Sequence, residues 1–458
     1  MKAIKKITRR VSEPFERIRN IDAVEVSNAI QGAGLNALTK LASSDIPDQL
    51  KMRKQMEHLL YEGSKVGFGF MAKQLSSGGS KGELSPEQVA RKKKGLFDLS
   101  LSDEQKMVRE SLRAFSKEVI APAAHDADHD HQTPSEILDQ LSELGIMYYA
   151  IPEAFGGMSD GEDAESTVTQ MLSLEDLGFG DFSIGATAFS SVSVANVINR
   201  YGSREQKKTY LPQFLSDSPL KATMATIDSK GESNPYKLKS QVKKTGSLLV
   251  LTGEKSLVIG AKDAEVFVVS AIYQGKPELF LVDANAQNIK IKDDPAMGLK
   301  PAATCTVQFN GVRLLDSDRL PNLDYQQFID LSHMAVCALA CGVGDAVLDY
   351  VIPYVNDREA FGEPISHRQS VAFMVSDLAI ELESMRMLNW RATSRAQSGA
   401  NFHREAHLAY VLTCEKAMKI GVDAVQLLGG HGYTKEHPVE RWYRDLRAFP
   451  MMHGSLCL

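Results

Sequence analysis

The sequence predicts an α+β fold of several domains. A helical extension at the N-terminus is followed by a helical N-terminal domain, a middle β domain and a C-terminal helical domain. Apolar residues recur at spacings of three and four in residues 96–216 and again in residues 321–458. Short β-branched runs separated by turns fill residues 217–320. A Ser/Gly-rich and then basic stretch over residues 76–95 is typical of a linker, so residues 1–75 form the predicted extension.

The composition indicates a globular protein of ordinary polarity. Of its 458 residues, 43% are hydrophobic and 24% are charged, and the formal net charge is −6. An acidic balance argues against nucleic-acid binding, which normally needs a basic excess. No uninterrupted apolar run approaches the roughly 18 residues typical of a membrane span. Five cysteines without a C-x-x-C pair fit a reducing cytoplasm, which is the predicted location.

Residues 1–20 carry seven Lys/Arg against two Glu. A basic amphipathic helix of this kind can lie on an anionic membrane or serve as a targeting segment, and would then hold the protein at the periphery of the inner membrane. Glu13, Pro14 and Glu16 favour the simpler interpretation of a solvated basic face. Residues 23–75 show apolar positions at helical spacing and predict two or three helices.

The N-terminal helical domain begins with a capped helix. Ser102 is the predicted N-cap and Gln105 occupies the capping-box position. After Pro122 we expect a polar loop over residues 125–131, and then a second helix that stops at Gly145. The loop sequence His-Asp-Ala-Asp-His-Asp-His has the composition of a metal site, but a contiguous polar run on a loop is more often solvated. No metal is therefore predicted there.

Two further helices are predicted between residues 165 and 201, and a helix bounded by Gly202 and Pro212 closes the domain. The following block reads as strands. The clearest runs are Leu248–Thr252, Glu265–Ser270, Glu278–Val282 and Cys305–Phe309. So many short strands in one block predict a barrel or a sandwich.

Helical spacing returns at Tyr325. Cys337 and Cys341 share a helix face and could hold a metal with His333. Two small apolar residues on a buried helix are the favoured alternative, because thiols are commonly buried and no second ligand pair is present.

Three motifs gather in the last hundred residues: Arg358–Ile365 followed by Gln369, then Gln426–Tyr433, then Glu440–Asp445 leading to Met452–Ser455. Glycines between helices let a backbone approach a ligand closely, and exposed N–H groups suit a phosphate. An arginine fork supplies matching positive charge.

The ordered set, together with the sequence Gly-Ser-Arg-Glu-Gln-Lys-Lys-Thr-Tyr-Leu-Pro at residues 202–212, resembles the acyl-CoA dehydrogenase family over roughly residues 97–458. The resemblance implies a C-terminal four-helix bundle, FAD as cofactor and the dehydrogenation of an acyl-CoA or other acyl thioester. It further implies an electron-transfer flavoprotein-like acceptor. A homodimer, a homotetramer or a heteromer with a related chain is implied as well, because the FAD is shared between subunits.

The resemblance also implies site residues. Arg358, Phe361 and Gln369 would contact the diphosphate and adenosine half of the cofactor, and Gln426, Gly429 and Gly430 the same half of the partner's cofactor. At the flavin ring the matching residues are Thr226, Ser233 and Ser455.

The ring end departs from the family pattern. The Glu-Pro of the family's flavin loop is lost after Thr226, and Leu257 and Ile259 replace a Trp and a Thr. Loss of a hydroxyl donor removes a hydrogen bond and makes the pocket less polar.

The usual catalytic Glu is His453 in this sequence, and the alternative base position is Ser332. Removal of a proton alpha to a thioester needs a well-placed base. Asp330 lies two residues before Ser332, which on a helix turns it away from that point. A neutral imidazole can accept a proton near pH 7, so His453 is the candidate base, with a non-catalytic replacement as the alternative.

Three functions remain open from sequence. The first is an FAD-dependent acyl-CoA dehydrogenase-like oxidoreductase, which we favour. The second is a non-catalytic subunit that supports the FAD site of an active relative, since residues for the cofactor tail are kept while those at the ring are lost. The third is a scaffold or membrane-associated module led by residues 1–75.

Overall fold

A computed structural model describes residues 101–159, 167–228 and 234–458. The predicted extension and linker lie outside the described residues, so their helicity and the predicted domain boundaries stay predictions. Over the described ranges a helical domain is followed by a curled sheet and then by a helical bundle. The predicted fold class is confirmed.

The N-terminal domain is helical. Its first helix has the predicted cap: the Ser102 side chain accepts from the Gln105 N–H, and the Gln105 side chain accepts from the Ser102 N–H. A π-helical turn over Ser116–Ile120 leads without a break into the second helix. The helices are α1 Asp103–Phe115, α2 Ala121–Asp130, α3 Ser135–Glu143, α4 Thr167–Gly180, α5 Phe182–Ala188, α6 Ser190–Tyr201 and α7 Arg204–Tyr210.

The expectation of a polar loop over residues 125–131 is wrong, because α2 continues to Asp130. Pro122 lies in the first turn of α2, where a missing N–H costs little. Two charged hydrogen bonds of 2.9 Å from Arg444 hold the buried carboxylate of Asp128. A contact with the far end of the chain therefore stabilises a segment whose local sequence is polar.

The two helices expected between residues 165 and 201 are three in the described part of that range, from Thr167 onward. Asp181 has extended backbone, and its side chain accepts from the N–H groups of Ser183 and Ile184. An Asp N-cap of this kind starts a new helix by satisfying its free N–H groups.

The middle domain is one curled seven-stranded sheet within the described residues. Its order is β1, β4, β2, β3, β7, β6, and β5 pairs with the other edge of β4. The β1–β4 and β2–β4 pairs are parallel, and the others are antiparallel. The strands are β1 Ala222–Ala225, β2 Gln241–Thr245, β3 Leu248–Val258, β4 Val266–Tyr273, β5 Lys276–Asp283, β6 Ile289–Asp293 and β7 Cys305–Leu314.

The C-terminal domain, described throughout, is a bundle of four helices with a small hairpin after the first. By length and composition α8 alone among the described helices could cross a membrane, yet 72% of its most apolar window is buried inside the protein. The elements are α8 Tyr325–Asp357, β8 Glu359–Ala360, β9 Glu363–Pro364, α9 Gln369–Gln397, α10 His403–Leu428 and α11 Val439–Ala448.

Helices α4 and α8 join the two helical domains by close backbone contact. A Cβ added to Gly178 would lie 2.3 Å from the carbonyl oxygen of Leu339, and one added to Gly342 would lie 2.0 Å from that of Glu175. Only glycine leaves room for such a crossing. The crossing fixes the position of α8 against α4. The first predicted cofactor segment begins where α8 ends.

Candidate cofactor and active site

The first predicted cofactor segment lies where α8 ends. Arg358, Phe361 and Gln369 are all exposed to solvent. The ring of Phe361 is 96% exposed, its φ is +59°, and the Arg368 guanidinium carbon lies 5.6 Å from its centroid. A large exposed aromatic ring with a strained backbone is unusual for an isolated surface, and such strain is often found at binding sites.

The second segment lies at the adjoining end of α10. Gln426, Gly429 and Gly430 are exposed, and a Cβ built on either glycine meets nothing within 4 Å. Gly429 has φ of +59°, which favours glycine and turns the chain out of the helix. The backbone here is open to an approaching ligand.

Tyr354, one turn before the end of α8, connects the two segments. Its hydroxyl lies 2.8 Å from His431 Nδ1 and 3.4 Å from the Leu428 carbonyl oxygen. The His431 ring stacks on His437, whose Nδ1 lies 2.6 Å from the Tyr350 hydroxyl. The structure thus brings both predicted cofactor segments to one end of the bundle.

Two rows of exposed apolar side chains follow the outer helices of the bundle. On α9 they are Phe373, Ile380 and Met387, at 59%, 63% and 39% exposure, and on α10 they are Leu408, Val411 and Val422, at 42%, 51% and 45%. The spacings place each set along one face of its helix. We call these residues the apolar rows.

The ring end is built where β1, α8 and the C-terminal segment meet. The Thr226 hydroxyl donates to the His453 carbonyl oxygen over 3.0 Å, and the Gly454 N–H donates to the Ser332 hydroxyl over 2.8 Å. Gly454 has φ of +72°, and a Cβ there would lie 2.9 Å from the Thr226 hydroxyl oxygen. Ser455 is buried beside them. The other predicted ring residue, Ser233, lies outside the described residues.

A buried ion pair between Lys255 and Asp228 holds the backbone at Thr226. The Lys255 ammonium donates to Asp228 Oδ1 over 2.6 Å, to Ser270 Oγ over 3.1 Å and to the Thr226 carbonyl oxygen over 3.2 Å. Burial lowers the pKa of Lys255 to about 8, against the opposing effect of the Asp228 charge. Sequence reasoning missed this pair, although one lysine at a buried position of β3 is a detectable signal.

The two substituted positions give the ring end an aliphatic character. Ile259 is 2% exposed, and Leu257 has φ of +52° where the β3–β7 pairing is irregular. The Leu257 N–H donates to the buried carboxylate of Asp294 over 3.0 Å. A carboxylate thus fixes this bend of the backbone, and neither Leu257 nor Ile259 offers a hydroxyl.

His453 turns its imidazole into the C-terminal bundle. Its Nδ1 lies 3.0 Å from His333 Nε2, and its Nε2 lies 3.2 Å from the Tyr410 hydroxyl. The His333 ring stacks on Tyr410 with centroids 3.8 Å apart. Burial lowers the pKa of His453 to about 4 and that of His333 to about 3, so both imidazoles are neutral at pH 7.

Asp330 points away from this cluster, as predicted. Its buried carboxylate accepts from His403 Nδ1 at 2.9 Å and from Gln326 at 3.0 Å. Ser332 faces Gly454 on the other side of the helix.

The two metal sites that the sequence analysis considered as less favoured alternatives receive no support from the described geometry. In residues 101–159, 167–228 and 234–458 no group of three or more His, Cys, Asp or Glu is arranged to hold a metal ion. Cys337 and Cys341 are buried in the core of α8, and burial raises the pKa of both thiols.

Comparison with known families gives three adjoining matches. The N-terminal domain of acyl-CoA dehydrogenase matches residues 102–218, its middle domain residues 222–312, and its C-terminal domain residues 325–456.

Among curated relatives, the probable acyl-CoA dehydrogenase YngJ of Bacillus subtilis (strain 168) is 29% identical over 372 residues, covering 78% of this chain and 96% of the relative. The mitochondrial short/branched chain specific acyl-CoA dehydrogenase of Bos taurus is 27% identical over 370 residues, covering 78% and 84%. Among solved structures, butyryl-CoA dehydrogenase from Megasphaera elsdenii superposes with a TM-score of 0.71 at 25% identity, covering 78% of this chain and 96% of that one.

Proposed function

Because the chain belongs to the acyl-CoA dehydrogenase family, we propose that it dehydrogenates an acyl thioester across the carbons alpha and beta to the carbonyl. The family membership makes it a flavoprotein oxidoreductase, and the prediction of FAD as cofactor is confirmed. The acyl substrate, the residues and the assembly are the proposed part.

The single observation that supports this function best is the common location of the predicted cofactor segments. Arg358 and Gln369 offer exposed polar donors, and Gly429 and Gly430 leave open space where any other residue would place a Cβ. Cationic and N–H donors suit a diphosphate, and an exposed ring such as Phe361 suits an adenosine face. Because the two segments adjoin within one chain, these groups fit the diphosphate and adenosine half of one and the same FAD, where the resemblance led us to expect contacts with two.

Bound FAD would supply the acceptor for the hydride that leaves the carbon beta to the thioester carbonyl. Thr226 and Ser332 hold the His453–Gly454 backbone at the ring end through the two hydrogen bonds described above. His453 is the proposed acceptor of the proton alpha to the carbonyl, since the resemblance matches it to the position of the usual base and its imidazole is neutral at pH 7. Ile259 and Leu257 would keep water from the ring.

A second copy, or a related chain, is proposed to cover the apolar rows and to contribute to the cofactor site. The cofactor segments are open to solvent in the single chain, and large exposed apolar side chains repeated along one helix face favour an interface. An electron-transfer flavoprotein-like protein is the proposed electron acceptor.

The test begins with the colour and cofactor content of the purified full chain. We expect a flavin absorption band, release of FAD on denaturation, and anaerobic bleaching of the band by butyryl-CoA or another short acyl-CoA. Arg358→Ala should lower the retained FAD, whereas Arg404→Ala, an exposed arginine at the opposite end of α10, should not. A protein that stays colourless after reconstitution with FAD contradicts the proposal.

The second candidate is a non-catalytic subunit of an active relative, favoured by the engagement of both His453 ring nitrogens. It predicts FAD retention without bleaching by any acyl-CoA, and stable association with a related chain that carries the catalytic Glu. An active homo-oligomer would exclude it.

A further inference from the structure

The rings of His333 on α8, Tyr410 on α10 and His453 form one array, which we call the ring cluster; His333 is buried, and the other two residues are half-buried. Its contacts are the 3.0 Å pair between the two imidazoles, the 3.2 Å pair between His453 Nε2 and the Tyr410 hydroxyl, and the stacking of His333 on Tyr410. The Tyr410 hydroxyl also donates to the Pro450 carbonyl oxygen over 3.0 Å. Nothing in the family motifs points to this arrangement.

The number of available protons sets the direction of these hydrogen bonds. A tyrosine hydroxyl has one proton, and a carbonyl oxygen can only accept, so that proton goes to Pro450. The Tyr410 oxygen then accepts from His453, which must carry its proton on Nε2. A neutral imidazole has one N–H, so Nδ1 of His453 is unprotonated. Its lone pair accepts from Nε2–H of His333.

The ring nitrogen at the far end of this series of hydrogen bonds, His333 Nδ1, agrees with this direction. His333 Nδ1 is buried and finds no hydrogen-bond partner among the described residues. If His333 donates to His453 and His453 donates to Tyr410, His333 Nδ1 is unprotonated and carries only a lone pair. In the opposite direction it would be a buried N–H without an acceptor, and the Pro450 oxygen would lose the donor that it has from Tyr410. An orphaned buried N–H is the rarer defect, and one hydrogen bond would be lost as well.

We propose that His333 is a blocking residue, whose Nε2–H occupies the only lone pair of His453 and so keeps the imidazole at the base position from accepting a substrate proton. Tyr410 holds the opposite nitrogen and fixes the same tautomer. Proton acceptance by His453 then requires its imidazole to leave His333. This consequence for catalysis rests on the proposed function, whereas the tautomer does not.

The other titratable groups around the cluster do not supply a competing proton acceptor to His453. Burial is the main cause of the lowered pKa of His333, and its interactions with His407 and His403 on α10 add to it. Cys337 and Cys414 lie near Tyr410, where Cys414 shares a hydrogen bond with the hydroxyl and burial raises the pKa of both thiols. The described contacts of His453 are therefore with His333, Tyr410 and, through its carbonyl oxygen, Thr226.

Neutron diffraction of the unmodified protein after exchange into D2O tests the tautomers directly and needs no substrate. We expect deuterons on Nε2 of His453 and on Nε2 of His333, and none on either Nδ1. A deuteron on His453 Nδ1 would overturn the proposal, because that nitrogen would then be a donor. A failure of the proposed dehydrogenase activity would leave this result unchanged.

Titration of His453 by nuclear magnetic resonance in histidine-labelled protein tests the blocking step, with its signal assigned from His453→Asn. His333→Phe keeps a ring against Tyr410 but frees the lone pair, so the pKa of His453 should rise by about one unit or more. Tyr410→Phe is the matched control, since His333 still donates there, and the pKa of His453 should stay at about 4 as in the unmodified protein. Equal titration in His333→Phe and the unmodified protein would overturn the blocking role, and if His333→Phe does not fold, the neutron result decides.

Discussion

The hydroxyl of Thr226 lies 3.0 Å from the carbonyl oxygen of His453 and joins the end of β1 to the segment that carries the candidate base. Because the contact goes to backbone, it holds the position of His453 without restraining its ring. Thr226 is therefore a support for the segment, in addition to its predicted place at the flavin.

Thr226→Val keeps the shape of the side chain and removes the donor. The His453 carbonyl oxygen would lose its partner in a mostly buried place, so we expect a loss of about 1–2 kcal/mol in the free energy of unfolding. Urea denaturation of the FAD-loaded protein measures it. Thr226→Ser keeps the donor and should lose distinctly less; a larger loss in Thr226→Ser than in Thr226→Val would show that the methyl group, not the hydrogen bond, matters.

Lys255→Met leaves the carboxylate of Asp228 buried without its cation. We expect a loss of about 3–5 kcal/mol, since breaking a buried pair from one side is strongly destabilising. The double variant Lys255→Met with Asp228→Asn should recover part of that loss, because no unpaired charge remains. Additive losses in the double variant would mean that the two residues act independently.

The ring cluster makes stability depend on pH in a defined direction. Burial holds the pKa of His333 at about 3 in the folded protein, below its ordinary value near 6.5 in the unfolded chain. The unfolded chain therefore binds more protons between these values, and stability falls as the pH drops below 6.5. Asp176 and Asp445 act oppositely, because burial raises their pKa to about 6 and about 7.

A comparison of variants separates these opposing effects. Between pH 7 and pH 5 the unmodified protein should lose at least about 2 kcal/mol more free energy of unfolding than His333→Phe, in which that imidazole is absent and the pKa of His453 is expected to be higher. Denaturant titrations of both proteins at the two pH values give the difference. A difference near zero would mean that His333 is protonated in the folded protein at pH 5.

Ile380→Lys places a charge in the middle of the apolar row on α9. If a second chain covers this row, burial of an unpaired ammonium should break the assembly or shift it to a smaller oligomer, as seen by analytical ultracentrifugation. Met107→Lys on α1 is the matched control, since both residues are 63% exposed in the single chain. The same oligomer in both variants would place the interface elsewhere.

Features that depend on neighbouring residues were predictable from sequence. The capping box of Ser102 and Gln105 and the return of helix at Tyr325 are as expected, because caps and periodicity act over one or two turns. The polar stretch from His125 to His131 was not, since its helix is held by Arg444, which is 316 positions from Asp128 in the sequence.

Some residues of the candidate site were likewise predictable from sequence, and others were not. Motif spacing identified Arg358, Gln426 and the glycines near residue 430 as a set, and the fold brings both segments to one end of the bundle. The partners of His453 could not be found by spacing, because His333 and Tyr410 lie 120 and 43 positions away and belong to no motif.

The sequence by itself determined the order of helical and β domains, the family and, through the family, FAD as cofactor, because these follow from local patterns and from residue identity at motif positions. Only the tertiary structure decided what surrounds His453 and which lysine and aspartate support Thr226. Hydrogen-bond direction and the pKa of a buried group depend on atoms brought together from distant parts of the chain, and no local pattern encodes them.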